Sequence, residues 1–193
     1  MVQETPAGLS PVHARTFPLP DKSILQDQHL SLFQKILLAT DGTVTDLLAL
    51  YAGEKIKVQK IEQKFILSGA AEEWLYPLET PILVRKILLC GAVRKFVYAE
   101  SIFSFELHSR SIQYKLLETN VPIGLLWKEE KLETYREIIE YKTEPALTLA
   151  AYFDIPPQTP LLSRTYLIYH QQNILGAITE KFPISSFKGE SPT

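Results

Sequence analysis

The sequence predicts an α+β fold built on a single antiparallel sheet, and three observations carry that prediction. Period-two runs recur along the chain, they fall in pairs separated by short turns, and helix-period segments interrupt them without regular βαβ alternation. Hydrophobic residues make up 46% of the 193 and charged residues 22%, a balance suited to one domain with a real core.

Residues 1–25 carry several prolines and no clear period, so they are expected to form an N-terminal arm; residues 26–187 form the domain and 188–193 a polar tail. Leu30, Phe33, Ile36, Leu37 and Leu38 fall near helical spacing, and Asp41-Gly42 ends that helix. Thr43 is placed to cap a second short helix from Val44 to about Ala52, with Leu47, Leu48 and Tyr51 on one stripe. Lys55–Ile61 alternates as a strand and can run on through Phe65 to Leu67. After a loop around 72–80, Pro81–Cys90 and Phe96–Leu107 read as two strands turned at Gly91–Lys95. Residues 109–118 suit a short helix, and Pro122-Ile123-Gly124 punctuates the chain before Leu125-Leu126-Trp127. Leu132–Tyr141 fits two templates. Tyr135, Ile138 and Ile139 suit a helix, whereas Thr134, Arg136 and Ile138 suit a strand. Four prolines at 145, 156, 157 and 160 bracket a loop-rich segment. Leu161–His170 and Ile174–Phe182 then form a last hairpin around Gln171-Gln172-Asn173, closed by Pro183.

Composition narrows the function. A net charge of −2 leaves no basic excess to neutralise a phosphate backbone, so no nucleic-acid partner is expected. The single cysteine, Cys90, excludes an internal disulfide and a cysteine metal cage; lying in the run Ile87-Leu88-Leu89-Cys90, it is expected to be a buried, inert thiol. His13, His29, His108 and His170 lack metal-ligand spacing, so no metal is expected. Met1-Val2-Gln3-Glu4 is not the start of a signal peptide, and no apolar run approaches the roughly 20 residues that cross a bilayer. A cytoplasmic protein without membrane insertion is expected. No GxSxG, HExxH, GxGxxG or P-loop occurs, which removes the main support for hydrolase triads, zinc proteases and nucleotide-dependent enzymes.

Two charges stand on the wrong face. Arg85 shares the parity of Leu83, Ile87 and Leu89; Glu180 shares that of Ile174, Ile178 and Phe182. Burying an unpaired charge is costly, so the two either pair with one another or line a cavity that takes a polar ligand. A structural ion pair, or a parity misread because Val84, Leu88 and Cys90 make the opposite face apolar too, remains the alternative. A buried guanidinium with a free fork suits a ligand carboxylate, which it grips bidentately. Glu100, in register with Tyr98 and Ser104, reads as a solvated rim residue, and Glu72-Glu73 and Glu129-Glu130 read as surface charge.

Four blocks in order carry a resemblance: Ile36-Leu37-Leu38-Ala39-Thr40-Asp41-Gly42-Thr43-Val44-Thr45, Val84-Arg85-Lys86-Ile87-Leu88-Leu89-Cys90, Val121-Pro122-Ile123-Gly124 and Thr179-Glu180-Lys181-Phe182-Pro183. Over residues 30–185 the sequence resembles the chorismate pyruvate-lyase family, more its cyanobacterial, plastid-genome and mycobacterial branch than the enterobacterial one. The resemblance implies an antiparallel sheet whose helices and flap segments enclose an internal ligand cavity. It implies a cofactor-free lyase that converts chorismate into 4-hydroxybenzoate and pyruvate, for quinone (plastoquinone among them) or phenolic-lipid biosynthesis. By the same resemblance Arg85 grips the substrate carboxylate, and Glu180 contacts the ring 4-hydroxyl as the other catalytic residue. Val44 and Ile123 supply backbone groups and apolar walls, with Thr43 and Thr45 as polar neighbours. Glu100 stands where an enterobacterial-type enzyme has arginine, which puts a secondary product-binding mode in doubt. Arg164 is a further cation near the site in chain order and a weak candidate for a second carboxylate partner. Lid movement is expected near 41–53 and 121–130, and a monomer is expected.

The competing reading is a non-catalytic aromatic-acid-binding domain, since the same general fold serves as the effector sensor of some bacterial transcription regulators. Those carry a winged helix ahead of the sensor. Here about 30 proline-rich, non-basic residues precede the matching region, so DNA binding is not expected. A structural protein with a buried Arg–Glu pair is the third reading.

Overall fold

The period-two segments pair as β1 (Lys57–Leu67), β2 (Pro81–Cys90), β3 (Lys95–Ser104), β4 (Tyr135–Pro145), β5 (Pro160–His170) and β6 (Asn173–Pro183). In the computed structural model, which describes residues 17–119 and 121–188, they form one antiparallel sheet in the order β1-β2-β3-β6-β5-β4. Two three-stranded meanders thus meet through the β3–β6 pair. The first part of the arm, with His13, and the tail beyond Lys188 lie outside the described residues.

Two helix pairs cover one face of this sheet. Leu37 and Leu38 of α1 (Leu32–Ala39) and Leu48 of α2 (Val44–Ala52) pack with Val58, Leu89, Val97, Leu162 and Phe182. Ile112 and Leu116 of α3 (Arg110–Glu118) join Leu126 and Trp127 of α4 (Ile123–Glu129) over Leu83, Phe103, Ile168 and Ile178. The space between the two clusters is where α2 and α4 begin, and this is the site described below. On the opposite face Leu75 and Tyr76 cover Ile82, Val84, Leu167 and Ala177. A last short helix, α5 (Ala150–Phe153), lies in the proline-rich connection to β5.

Several local expectations are corrected. Ser31 and Gln34 form a reciprocal capping box at the start of α1, whereas Thr43 sits at the N-cap of α2 without accepting a hydrogen bond through its side chain. Pro122-Ile123-Gly124 opens helix α4, proline serving as a helix start rather than a break. β3 stops at Ser104, and Phe105–Leu107 tightens into a 3₁₀ turn. The ambiguous segment is strand β4, because its partner β5 offers a long ladder from Tyr135↔Tyr169 to Pro145↔Pro160. Cys90 is half-buried beside Gln59, not fully buried, and burial still pushes its thiol pKa up. A register shift between Ile168 and Tyr169 turns Ile174 to the face opposite Glu180, so that part of the parity count fails.

His108 is a core histidine. Its Nδ1 lies 3.0 Å from the Ser104 carbonyl, its ring stacks on Trp127, and burial pushes its pKa down. Among the described residues no group of three or more His, Cys, Asp or Glu could hold a metal ion, and no helix is long and apolar enough to cross a membrane.

Gly176 sits where β6 crosses β3. A Cβ there would collide with the Ile102 carbonyl oxygen and the Phe103 ring. Gly176→Ala should therefore cost about 1–3 kcal/mol, read as a lower urea midpoint at unchanged slope. An unshifted midpoint would show that the strands can part at no cost.

Candidate active site

Sheet register places the site. Arg85 stands opposite Ser101, Ser101 opposite Ile178, and Ile178 opposite Tyr166, a row running from β2 to β5. In the next row Ala99 faces Glu180, and Glu180 faces Arg164. Arg85 and Glu180 consequently project from the same side of the sheet. With Thr43, Val44, Thr45, Ile123, Trp127, Arg136 and Tyr166, both line one internal cavity of about 50 Å³. The six residues singled out from the sequence thus converge on one space.

The two charged groups do not pair with each other. Glu180, 7% exposed, accepts from Arg164 Nε at 2.8 Å through Oε2 and from the Tyr166 hydroxyl at 3.2 Å through Oε1. Arg164, 1% exposed, also donates through Nη1 to the carbonyls of Leu38 at 3.2 Å and Thr40 at 2.6 Å. It thereby ties the end of α1 to the floor of the site. Burial is the largest single influence and would lower its pKa, but Glu180, Tyr166 and Tyr141 together outweigh it and hold the guanidinium above the usual arginine value. Tyr166, beneath the guanidinium at 5.0 Å, is kept protonated well above its ordinary range, chiefly by burial and then by the Glu180 charge.

Arg85 is the opposite case. It is 1% exposed, and its Nη2 reaches a single acceptor among the described residues, the Val121 carbonyl at a long 3.5 Å. Its Nε has no partner there. Desolvation pulls its pKa down to about 10, leaving it charged at neutral pH. A buried cation without a counter-charge is an anion-binding group by its chemistry.

The roof is built from helix starts. Val44 and Thr45 begin α2, and Ile123 and Gly124 begin α4. First-turn amides have no intrahelical acceptor, and Val44, Thr45, Ile123 and Gly124, the first residues of the two helices, line the cavity. The two starts abut: a Cβ at Gly124 would lie 3.6 Å from Thr43 Cγ2. The remaining walls are apolar, from Ile87, Leu89, Ala99 and Ile178. Glu100 lies outside the site, on the other face, 3.8 Å from Lys86. Two larger concavities, about 640 Å³ beside Tyr135 and about 360 Å³ beside Tyr51, contain no fully buried charge.

A family model described as "Chorismate pyruvate-lyase Rv2949c-like" matches residues 38–188. The chain belongs to this family. A Methanocaldococcus jannaschii protein named "Putative lyase MJ0807" is 30% identical over 173 residues, 88% of this chain and 82% of its own length. The chorismate pyruvate-lyase of Mycobacterium leprae is 37% identical over 106 residues, 53% of this chain, and that match spans only 50% of the relative. Among solved structures the effector domain of PhnF from Mycobacterium smegmatis superposes with a TM-score of 0.58 at 14% identity, covering 74% of this chain and 88% of that one. That likeness speaks for the fold alone. In this chorismate pyruvate-lyase relative, three polar members of the cavity were not selected from the sequence: Ser101, Tyr166 and Arg136. Tyr166 lies in a strand buried on both faces, with polar Ser163 and Thr165 on one and Arg164 on the other, where parity says little. Arg136 lies in the segment that fitted two templates; as a strand it shares the parity of Ile138, the same signal that marked Arg85. Arg164 was weighed only as a ligand partner, whereas it is bound to Glu180.

Removing Arg164 leaves a carboxylate buried without its cation. Arg164→Met should cost about 3–5 kcal/mol, and Arg164→Met/Glu180→Leu clearly less than the two single changes summed. Additive losses in a denaturation cycle would show the pair uncoupled.

Proposed function

We propose that the protein is a chorismate pyruvate-lyase, splitting chorismate into 4-hydroxybenzoate and pyruvate without a cofactor. The observation that carries this reading is Arg85, a buried guanidinium facing an apolar cavity with no carboxylate to neutralise it. Family membership supports it, and the name of the Mycobacterium leprae relative specifies the reaction class.

Chorismate carries a ring carboxylate, a 4-hydroxyl and an enolpyruvyl ether. Arg85 would hold the ring carboxylate. Glu180, pinned by Arg164 and Tyr166, keeps free lone pairs on both oxygens and would accept from the 4-hydroxyl. Amides at the starts of α2 and α4 would meet the remaining polar edges. In this pose the ether C–O bond breaks, the hydrogen on the hydroxyl-bearing carbon passes to the enolpyruvyl methylene carbon, and the ring becomes aromatic. Pyruvate leaves with the ether oxygen as its keto group, so atoms and electrons balance. Aromatisation drives the step, and the protein's contribution is positioning in a dry, preorganised field.

A cavity of about 50 Å³ is smaller than the roughly 150 Å³ that holds a benzene ring, so entry requires α2 and α4 to part. Segment motion would then set the pace of product release. The cavity residues Thr43 and Thr45 sit at that seam.

Purified protein mixed with chorismate alone should yield equimolar pyruvate and 4-hydroxybenzoate, followed by chromatography. Arg85→Ala should lower kcat/KM by about 10- to 100-fold, the worth of a charge-assisted contact. Binding without turnover in the wild type would instead make this a sensor-type domain, and undiminished turnover in Arg85→Ala would sink the arginine assignment.

A further inference from the structure

Around the cavity stand three guanidiniums, those of Arg85, Arg136 and Arg164, and one carboxylate, that of Glu180. Arg164 and Glu180 neutralise each other in a 2.8 Å ion pair. Two positive charges remain, on Arg85 and Arg136. Their strands, β2 and β4, lie on opposite sides of the β3–β6 centre, so they approach the same cavity from its two flanks.

Arg136 is half-buried, and its Nη1 donates to the main-chain carbonyl of Asp41, just ahead of α2. Its Nη2 lies 3.7 Å from the Cβ position of Gly124, at the start of α4. The fork therefore rests at the seam of the two roofing segments. The partner found there is a neutral carbonyl, and among the described residues no carboxylate forms an ion pair with it.

Resting on the lyase reading above, we propose that Arg136 is the second anion anchor of the site. It takes the carboxylate of the enolpyruvyl side chain while Arg85 takes the ring carboxylate. Two excess cations match a dianion, whereas a monoanion would engage only one. Holding both carboxylates fixes the ether between two points, which orients the breaking bond. Once the ether is cleaved the dianion becomes two monoanions, each held at one end only. Each then loses the advantage of being tethered to a second site, which favours release.

The test compares ligands of different charge on the full chain. Arg136→Gln should raise KM for chorismate by about tenfold or more while changing Kd for 4-hydroxybenzoate by less than about twofold, since a single charged contact is at stake. Arg85→Gln should weaken both ligands. Equal weakening of both by Arg136→Gln, or no effect on either, overturns the assignment of Arg136 and leaves the lyase reading intact. Wild-type protein that neither binds nor turns over chorismate overturns both. If Arg136→Gln melts early, Arg136→Lys decides: it keeps the charge and loses the fork, and a loss confined to chorismate supports the anchor, while a loss for both ligands opposes it.

Discussion

The pairing of Arg164 with Glu180 determines the character of this molecule's interior. Cross-strand register sets those two residues directly opposite each other on β5 and β6, so the site's one carboxylate is committed to a neighbour on the adjacent strand. Arg85, two strands away on β2, is left buried with its charge intact. A buried, uncompensated guanidinium costs several kcal/mol. The fold bears this through the two apolar clusters that flank it, one under α1 and α2, the other under α3 and α4. Under the proposed function, binding of an anion would offset that cost, which the Arg164–Glu180 pair does not do for Arg85.

The arrangement is only as good as the register. Sliding one strand by a single residue would exchange its faces and move Arg85 or Glu180 to the far side of the sheet. The irregularities in the ladder lie outside the β3–β6 pairing, between Lys60 and Glu62, Leu89 and Cys90, Ile138 and Glu140, and Ile168 and Tyr169. The β3–β6 pairing, which joins the two meanders and carries Ala99 against Glu180, runs without a shift from Tyr98↔Lys181 to Phe103↔Gly176. Gly176 at its end lets Phe103 and the Ile102 carbonyl come close. The two halves of the cavity are thereby held in phase.

Much of this was legible in the sequence because the sheet is simple. Alternation marked β1, β2, β5 and β6 to within a few residues, and parity on β2 and β6 alone put Arg85 and Glu180 on one face. What stayed hidden has physical causes. Parity is silent where both faces are buried and carry polar residues, as around Arg164 and Tyr166 on β5, whose neighbours from Leu161 to Ile168 are all buried. It is equally silent where helix and strand periods coincide, as in β4, and this concealed Arg136. The identity of Glu180's partner required knowing that β5 lies between β6 and β4, a long-range fact of topology that no local pattern encodes. The start of α2 at Val44 was read correctly, but that of α4 was missed: Pro122 breaks a helix interior yet is tolerated just ahead of a helix, and the residue alone does not say which.

Placing the roof at the starts of α2 and α4 has a consequence for motion. Those segments contribute main-chain amides, whose value to a ligand depends on backbone position rather than on side-chain identity, so apolar residues such as Val44 and Ile123 can occupy them. Contacts across the seam include Thr43 against Gly124, the Arg136 fork reaching Asp41, and an exposed ion pair from Lys128 of α4 to Asp46 in the first turn of α2 at 3.2 Å. The outer ends of the two helices are anchored by Leu48 in one apolar cluster and by Leu126 and Trp127 in the other. Val44 and Ile123, the first residues of α2 and α4, belong to those same clusters, so displacing either helix as a whole would open a core. Under the proposed role of Arg136, an anion that drew it and the two helix starts inward would close the same seam, joining capture of the ligand to exclusion of water.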